Sequence, residues 1–133
     1  MKSVVILGAG FAGLELATSL SEELPDEVDV TIIDSSDAFV FGFSKLDVMF
    51  GREKLTKVRI PYTKLNRPAV RFVRETVESI DPERRRVITN ASTYEPDILV
   101  VALGADLDPA ATADAHGYVD DLLRACRERG LPM

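Results

Sequence analysis

Two apolar segments near the start of the chain flank a stretch with helical periodicity. The first is Val4–Leu7, and the second runs from Val28 to Ile33. Between them, small or apolar residues recur at intervals of three and four, at Gly13, Leu16, Ala17, Leu20 and Leu24. Pro25 follows directly and cannot continue a helix. The pattern predicts a strand, a helix and a second strand, the unit from which parallel sheets are built.

Shorter apolar segments separated by turn residues follow in the middle of the chain. Residues 70–73 predict a third strand, and residues 76–80 continue in extended form. Asp81 and Pro82 form a type I turn signal, after which the chain returns through residues 86–89 and then Tyr94. We interpret this region as an antiparallel meander inserted between parallel strands.

The last strongly apolar segment, residues 98–103, predicts a central strand buried on both faces. It ends in Gly104, whose backbone freedom lets the chain turn away. From residue 106 the composition changes, and residues 118–129 predict an amphipathic helix. We therefore expect one domain over residues 1–108 and a divergent helical tail over residues 109–133.

Three glycines stand where the first predicted strand meets the predicted helix. Gly8 can adopt backbone angles that a side chain forbids, Gly10 lets a ligand approach the main chain, and Gly13 lets the helix lie close to the strand. The start of the helix then directs unpaired N–H groups and a positive dipole end at a phosphate. A GxGxxG string alone is a weak signal, but its position here indicates a dinucleotide-binding site. The predicted fold class is α/β, a Rossmann-like parallel sheet with an inserted antiparallel meander.

An acid closes the second predicted strand. Asp34 lies near the position, about 20 residues after the glycines, where such folds place the acid that binds a pair of ribose hydroxyls. Its two oxygens can accept from both hydroxyls, whereas they would repel a 2′-phosphate. Asp34 therefore favours an unphosphorylated adenosine half, as in FAD or NAD. The alternative is a glycine-rich turn beside a surface aspartate.

Residues 38–43 are rich in phenylalanine, and residues 44–51 predict a short helix closed by glycine. Phe39, Phe41 and Phe43 either anchor a core or form a wall beside a flat ring system. Lys45 is either solvated or placed near a cofactor phosphate or the flavin side. The sequence alone leaves both pairs of interpretations open.

Composition narrows the classes of function. The chain has 133 residues, of which 46% are hydrophobic, enough for about one domain with a core. A net charge of −6 disfavours nucleic acid and anionic membranes as partners, and Arg84–Arg86 is interpreted as a solvated turn. The single cysteine, Cys126, excludes a Cys-rich metal site and fits a cytoplasmic location. No apolar run reaches the roughly 18 residues of a membrane span, so we expect a soluble protein.

Several ordered motifs within residues 1–110 resemble the FAD domain of the pyridine nucleotide–disulfide oxidoreductase superfamily, in particular its sulfide:quinone oxidoreductase and type II NADH dehydrogenase branch. They are segments 8–15, 30–34, 39–41, 76–77 with 80–81, and 94–104. The resemblance implies FAD as cofactor. It assigns cofactor contacts to Gly8, Gly10, Phe11, Ala12 and Gly13 (pyrophosphate), Asp34 (adenosine ribose), Val77 at the end of the third strand (adenine), and Ala102, Leu103 and Gly104 (near the flavin). Ser35 and Lys45 are further candidate cofactor-binding residues. Leu103 stands where the family usually has threonine, which removes one hydrogen bond of about 1 kcal/mol.

By the same resemblance, the complete enzyme passes electrons from NAD(P)H or sulfide through the flavin to a quinone or another acceptor. We expect this chain to be cytoplasmic, with a peripheral association with a membrane as the alternative. Family members continue with a nicotinamide-binding domain and a returning segment that completes the FAD fold, neither of which is recognisable here. We therefore expect an incomplete fold that forms homo-oligomers through an exposed sheet edge or through the helix of residues 118–129.

Other functions compete with this one. A non-catalytic nucleotide-binding or oligomerising module would keep the fold without turnover, whereas a plain NAD-binding domain is disfavoured by the meander. Cys126 is either a persulfide-forming cysteine, as in sulfide-oxidising relatives, or a buried core residue. The sequence offers no convincing acid, base or nucleophile, so no catalytic residue is assigned.

Overall fold

The computed structural model describes residues 1–64 and 67–105, together with Arg124 and Glu128. The chain divides into two compact units. The first consists of Met1–Phe39 and Pro61–Gly104, and the second of Val40–Ile60 and Ala105–Met133. The predicted boundary at residues 108 and 109 and Cys126 lie outside the described residues, and of the predicted helix over residues 118–129 only Arg124 and Glu128 are described, both as helical.

The elements alternate as the sequence predicts in the first third and are shorter thereafter. In chain order they are β1 (Lys2–Leu7), α1 (Phe11–Glu23), β2 (Val28–Asp34), β3 (Ala38–Val40), α2 (Ser44–Met49), α3 (Leu55–Val58), β4 (Arg59–Pro61), a 3₁₀ turn (Tyr62–Lys64), β5 (Val70–Arg74), β6 (Val77–Asp81), β7 (Arg86–Thr89), β8 (Thr93–Tyr94) and β9 (Ile98–Val101).

Four parallel strands form the main sheet of the first unit, in the order β5-β2-β1-β9. Val4 of β1 lies opposite Val30 on one side and Ile98 on the other. The predicted strand–helix–strand unit and the parallel pairing are confirmed. Because β1 and β2 each have neighbours on both sides, their carboxyl ends lie side by side, and Gly8 and Asp34 lie at this edge.

β1 separates two hydrophobic clusters. Val4 and Ile6 pack in a cluster with Ala17 of α1, whereas Val5 and Leu7 pack in a second cluster with Val87 of the meander. Successive side chains of a strand point to opposite faces, so α1 covers one face of the sheet and the meander covers the other. This two-sided burial explains why residues 4–7 read as an uninterrupted apolar run.

β9 is an edge strand among the strands that the structure describes, so the prediction of a central strand buried on both faces is wrong. Ile98 is 48% exposed and Val101 is 59% exposed. Only Leu99 and Val100 pack against the two clusters, one on each face. An apolar run predicts a strand but does not reveal whether a second neighbour pairs with it.

The antiparallel meander is confirmed as a separate sheet of three strands in the order β6-β7-β8. The Asp81 carboxylate accepts hydrogen bonds from the N–H groups of Glu83 and Arg84, both at 3.1 Å, as the turn signal predicts. β5 ends at Arg74 and Val77 begins β6. The placement of Val77 at the end of the third strand is therefore wrong, because the chain changes sheets between these two residues.

A carboxylate network ties the meander to the segment after β5. Glu75 accepts hydrogen bonds from the hydroxyls of Thr89 (2.6 Å), Tyr94 (3.0 Å) and Ser92 (3.1 Å). These bonds, chiefly that from Thr89, lower the pKa of Glu75 below its usual 4.5 despite partial burial. Charge-assisted bonds of this kind are stronger than neutral ones. Glu75 thus binds three residues from the returning part of the meander at one point.

The second unit contains the two short helices α2 and α3. The predicted short helix closed by glycine is confirmed: Gly51 has a φ of 71° and its N–H donates to the Val48 carbonyl at 3.1 Å. Phe41 and Phe43 stack at a tilt, with ring centroids 5.5 Å apart, and both are exposed. Within the described part of the chain, no helix is both long and apolar enough to cross a bilayer.

Candidate dinucleotide-binding site

Gly8 directly follows β1, and two features of its position, a positive φ and the lack of space for a Cβ, allow only glycine there. Its φ is +100°, and a Cβ there would lie 2.8 Å from the carbonyl carbon of Ala102 and closer still to its oxygen. The Gly8 N–H donates to the Ile33 carbonyl at 2.8 Å and so extends the β1–β2 ladder. The tight turn predicted at this position is therefore present, and the chain after β9 packs directly on it.

Gly13 lies in the first turn of α1 and is buried against the glycine turn. A Cβ at Gly13 would lie 3.1 Å from the Gly8 carbonyl carbon and in steric overlap with its oxygen. This close approach of helix to strand is the role that the sequence assigns to the third glycine of the motif.

Gly10 differs from the other two glycines, because the space where its side chain would lie is empty. No atom of the residues that the structure describes lies within 4 Å of a Cβ built there, and its φ of −78° is open to any residue. Gly10 caps α1, and intrahelical bonding starts with the Leu14 N–H donating to the Gly10 carbonyl at 3.0 Å. The first N–H groups of a helix lack intrahelical acceptors and carry a partial positive charge. This exposed cradle therefore suits an anion.

Asp34 lies beside the turn and bonds to it directly. One carboxylate oxygen accepts from the Ala9 N–H at 2.7 Å, and the other accepts from the Ser36 N–H at 2.8 Å. A carboxylate has about four acceptor positions, so acceptor capacity remains for two ribose hydroxyls. The neighbouring Ser35 is exposed, and its carbonyl accepts from Arg74 Nε at 3.2 Å.

Tyr62 is a member of the site that sequence reasoning missed. Its side chain is 5% exposed, and its hydroxyl donates to the Ala9 carbonyl at 2.8 Å. Burial, followed by the charges of Asp34 and Asp37, raises the pKa of Tyr62 to about 12. No local pattern connects Tyr62 with a turn 53 residues earlier, so the sequence carries no signal for this contact.

The predicted flavin-side segment lies at the same edge of the sheet. The Ala102 N–H donates to the Leu7 carbonyl at 2.8 Å, continuing β9 alongside the end of β1. Leu103 is exposed, and Gly104 has a φ of 71° with no atom within 4 Å of a Cβ built there. The turn, Asp34 and residues 102–104 are therefore gathered at the carboxyl edge of three neighbouring strands, where open α/β sheets bind ligands.

The remaining predicted site residues are placed differently. Phe11 and Ala12 are exposed at the start of α1, and the Phe11 ring meets Phe39 edge to face at 5.0 Å. Phe39 packs on the α1 cluster, so the core interpretation holds for this phenylalanine. Val77 packs against the meander cluster. Lys45 is exposed on α2 in the second unit, and its assignment to the cofactor stays a prediction.

The first unit fits a dinucleotide on its own geometry. The open space at Gly10 lies at a helix N-terminus, and the Asp34 carboxylate, which has spare acceptor positions, accepts a hydrogen bond from the N–H of Ala9, the residue before Gly10. A pyrophosphate and a ribose diol need these two groups side by side. Among the residues that the structure describes, no cluster of potential metal ligands accompanies them.

Known proteins similar to this chain are oxidoreductases. Two type II NADH:quinone oxidoreductases, from Staphylococcus epidermidis and Staphylococcus aureus, are 36% and 34% identical over 105 residues, which is 77% of this chain and 26% of each relative. The chain thus spans about a quarter of the curated relatives that it matches.

Solved structures agree with this fold. The sulfide:quinone oxidoreductase of Aquifex aeolicus superposes with a TM-score of 0.73 at 30% identity, covering 81% of this chain and 25% of that one. NDH2 from Plasmodium falciparum in complex with NADH, at a TM-score of 0.71 and 18% identity over 85% of this chain and 25% of that one, shares the fold. The family model described as pyridine nucleotide-disulphide oxidoreductase matches residues 2–130. This chain, with its glycine turn and acid at the sheet edge, belongs to that family.

Proposed function

We propose that this chain binds FAD and forms the flavin-binding part of an oxidoreductase that delivers electrons to a quinone. The observation that carries the proposal is the open main chain at Gly10, at the start of α1 and beside Asp34. Family membership and the 30% identical sulfide:quinone oxidoreductase structure support a redox role. The matched region is about a quarter of the length of the relatives, so the site accounts for cofactor binding, and the complete reaction is proposed from what those relatives are named for.

Each part of the site has a distinct task. The N–H groups at Gly10 and the first turn of α1 would hold the pyrophosphate, and Asp34 would hold the adenosine ribose through its spare acceptor positions. The exposed segment 102–104 would lie along the flavin side, where main-chain groups orient the ring. When bound, FAD supplies the redox chemistry, and the protein binds the cofactor, orients it and excludes competing reactions.

The names of the relatives favour a quinone as the electron acceptor, and they name two different electron donors, NADH and sulfide. Quinone is the acceptor in both the type II NADH:quinone oxidoreductases and the sulfide:quinone oxidoreductase, whereas their donors differ. NADH is the donor that we propose, because the relatives with 34–36% identity carry it in their names. Sulfide is the alternative, and it depends on the role of Cys126.

The test of cofactor binding is a titration of the purified chain with FAD, followed by flavin fluorescence and by absorbance after dialysis. The wild-type protein should retain FAD in about equal molar amount. Asp34→Asn should weaken binding roughly ten- to hundredfold, because bonds to a charged acceptor contribute about 1.5–3 kcal/mol. Asp29→Asn is the matched control, since Asp29 is an exposed aspartate near the other end of the same strand.

Two outcomes separate the alternatives. A folded wild-type chain that neither quenches FAD fluorescence nor stays yellow after dialysis would refute flavin binding. If the chain binds FAD but neither NADH nor sulfide bleaches the bound flavin, the chain would instead be the non-catalytic nucleotide-binding module. Bleaching by NADH and reoxidation by a soluble quinone would support the proposed donor and acceptor.

A further inference from the structure

The Ala9 peptide groups are held from both sides by side chains of distant elements. The Ala9 N–H donates to Asp34 at 2.7 Å, and the Ala9 carbonyl accepts from the Tyr62 hydroxyl at 2.8 Å. Ala9 is fully buried, and Gly10, the next residue, is exposed. The glycine turn is therefore fixed at one residue by two independent bonds.

Peptide geometry converts the Tyr62 bond into an orientation of the neighbouring N–H. The described chain contains no cis peptide bonds. In a trans peptide the carbonyl of one residue and the N–H of the next point in opposite directions. Because the Ala9 carbonyl points towards the buried Tyr62 hydroxyl, the N–H of Gly10 points away from Tyr62, and Gly10 itself is exposed.

Tyr62 itself has little freedom to move. Its ring lies 4.4 Å from that of Phe72 on β5, and its own N–H donates to the Asp37 carbonyl at 3.1 Å. The Tyr62 ring is already fixed by burial, so its hydroxyl holds the Ala9 carbonyl in one orientation without a further loss of side-chain entropy when a ligand binds. A mobile, exposed side chain in the same role would lose that entropy on binding. The direction of the Gly10 N–H is thus set before any ligand arrives.

We propose that Tyr62 is a positioning residue for the pyrophosphate site: its bond to the Ala9 carbonyl aims the Gly10 N–H at the bound phosphate. The proposal rests on the proposed function, and its ligand class is the pyrophosphate of a dinucleotide. The competing role is structural only, in which the hydroxyl merely finds a partner in the core. The two roles differ in what happens when the hydroxyl is removed.

The experiment compares Tyr62→Phe with Tyr94→Phe. Tyr94 lies in the meander, and its hydroxyl donates to Glu75 at 3.0 Å. Tyr94→Phe therefore shows how the loss of a tyrosine hydroxyl away from the glycine turn affects affinity. Affinities for FAD, ADP and adenosine are measured for both variants by competition. Tyr62→Phe should weaken ADP and FAD roughly tenfold, the equivalent of one hydrogen bond, while adenosine binding, which involves no pyrophosphate, changes less than about twofold. Tyr94→Phe should leave the ratio of ADP to adenosine affinity unchanged.

Each other outcome has a definite meaning. Equal ADP affinity in wild type and Tyr62→Phe, or equal losses of ADP and adenosine affinity, would overturn the positioning role and leave the proposed function intact. A wild-type chain that binds neither ADP nor FAD would overturn both. If Tyr62→Phe does not fold, the wild type supplies the test. Saturating ADP should then shift the NMR signal of the Gly10 amide proton, because the phosphate accepts a hydrogen bond from that N–H, and an unmoved signal would refute the role.

Discussion

Gly13 packs on the carbonyl group of Gly8 so closely that no side chain fits between α1 and the end of β1. The contact places the first turn of the helix directly over the glycine turn. The dipole end and N–H groups of α1 are therefore held next to the main chain that would face a phosphate. The close approach of the helix start to the glycine turn therefore requires a residue without a side chain at position 13.

Replacing Gly13 by alanine should destabilise the fold. The added Cβ would overlap the Gly8 carbonyl oxygen and lie 3.1 Å from its carbon, so the helix must shift away from the strand. Overpacking of this kind costs about 1–3 kcal/mol, measurable as a lower free energy of unfolding in urea. Gly42→Ala is the control, because nothing lies within 4 Å of that position. Equal stability of the two variants would contradict the prediction.

Replacing Gly10 should have the opposite effect, with binding lost and the fold kept. A Cβ at Gly10 meets no protein atom, so Gly10→Ala should change unfolding by no more than about 1 kcal/mol, the usual cost of alanine at an N-cap. The larger Gly10→Val should weaken ADP and FAD at least roughly tenfold by occupying the space of the pyrophosphate. Calorimetric titration beside thermal unfolding checks both statements, and undiminished ADP affinity in Gly10→Val would count against the site.

Tyr62 should make stability sensitive to alkaline pH. Its pKa is raised from 10.0 to about 12 in the folded protein. Between these pH values the unfolded chain has lost the Tyr62 proton while the folded protein keeps it, so stability falls as pH rises. The loss should be on the order of 2–3 kcal/mol. Urea unfolding at several pH values above 10 should show a shallower decline in Tyr62→Phe than in wild type, and parallel declines would refute the assignment.

Glu75 should make stability sensitive to acid. Its pKa lies below 4.5 in the folded protein, chiefly because Thr89 donates a hydrogen bond to the carboxylate. The stabilisation is complete above pH 4.5 and is lost as pH falls through the lowered pKa, since the unfolded chain takes up the proton first. Glu75→Gln should be less stable at pH 7 by roughly 1 kcal/mol and should lose less stability on acidification. If the difference in the free energy of unfolding between wild type and Glu75→Gln does not decrease below pH 4.5, the prediction is contradicted.

The exposed edge of β9 should support self-association. Ile98 and Val101 leave apolar surface beside a strand whose outer side carries no described partner. Charged residues at such edges oppose pairing between copies, so Val101→Lys should reduce the sedimentation coefficient at a given concentration if the chain associates there. Lys54→Ala, on the exposed surface of the second unit, serves as the control. Unchanged association in Val101→Lys would assign any oligomer to another surface.

The sequence predicts the parts of the site that depend on neighbouring residues. The strand, turn and helix around Gly8 and Gly13 follow from local periodicity and from backbone angles that only glycine adopts, and the structure has both features. Burial of β9 depends on which strands flank it, which an apolar run does not record. The Tyr62 contact joins segments 53 residues apart through one hydroxyl, and Asp34 bonds to the turn as well as facing a potential ligand. Such contacts arise only when the sheet brings distant segments together.

Because β1 contributes side chains to both hydrophobic clusters, the edge of the sheet that carries the site should resist local unfolding. Neither α1 nor the meander can detach without exposing one face of β1, so the strand cannot open through a small local fluctuation. Its amide protons should therefore exchange with deuterium only when the whole first unit unfolds. The N–H of Gly8 donates to the carbonyl of Ile33 on β2. The Gly8 amide should therefore be among the slowest to acquire deuterium. The amide of the exposed Gly10, two residues later, should exchange freely and should become protected only when a phosphate binds there.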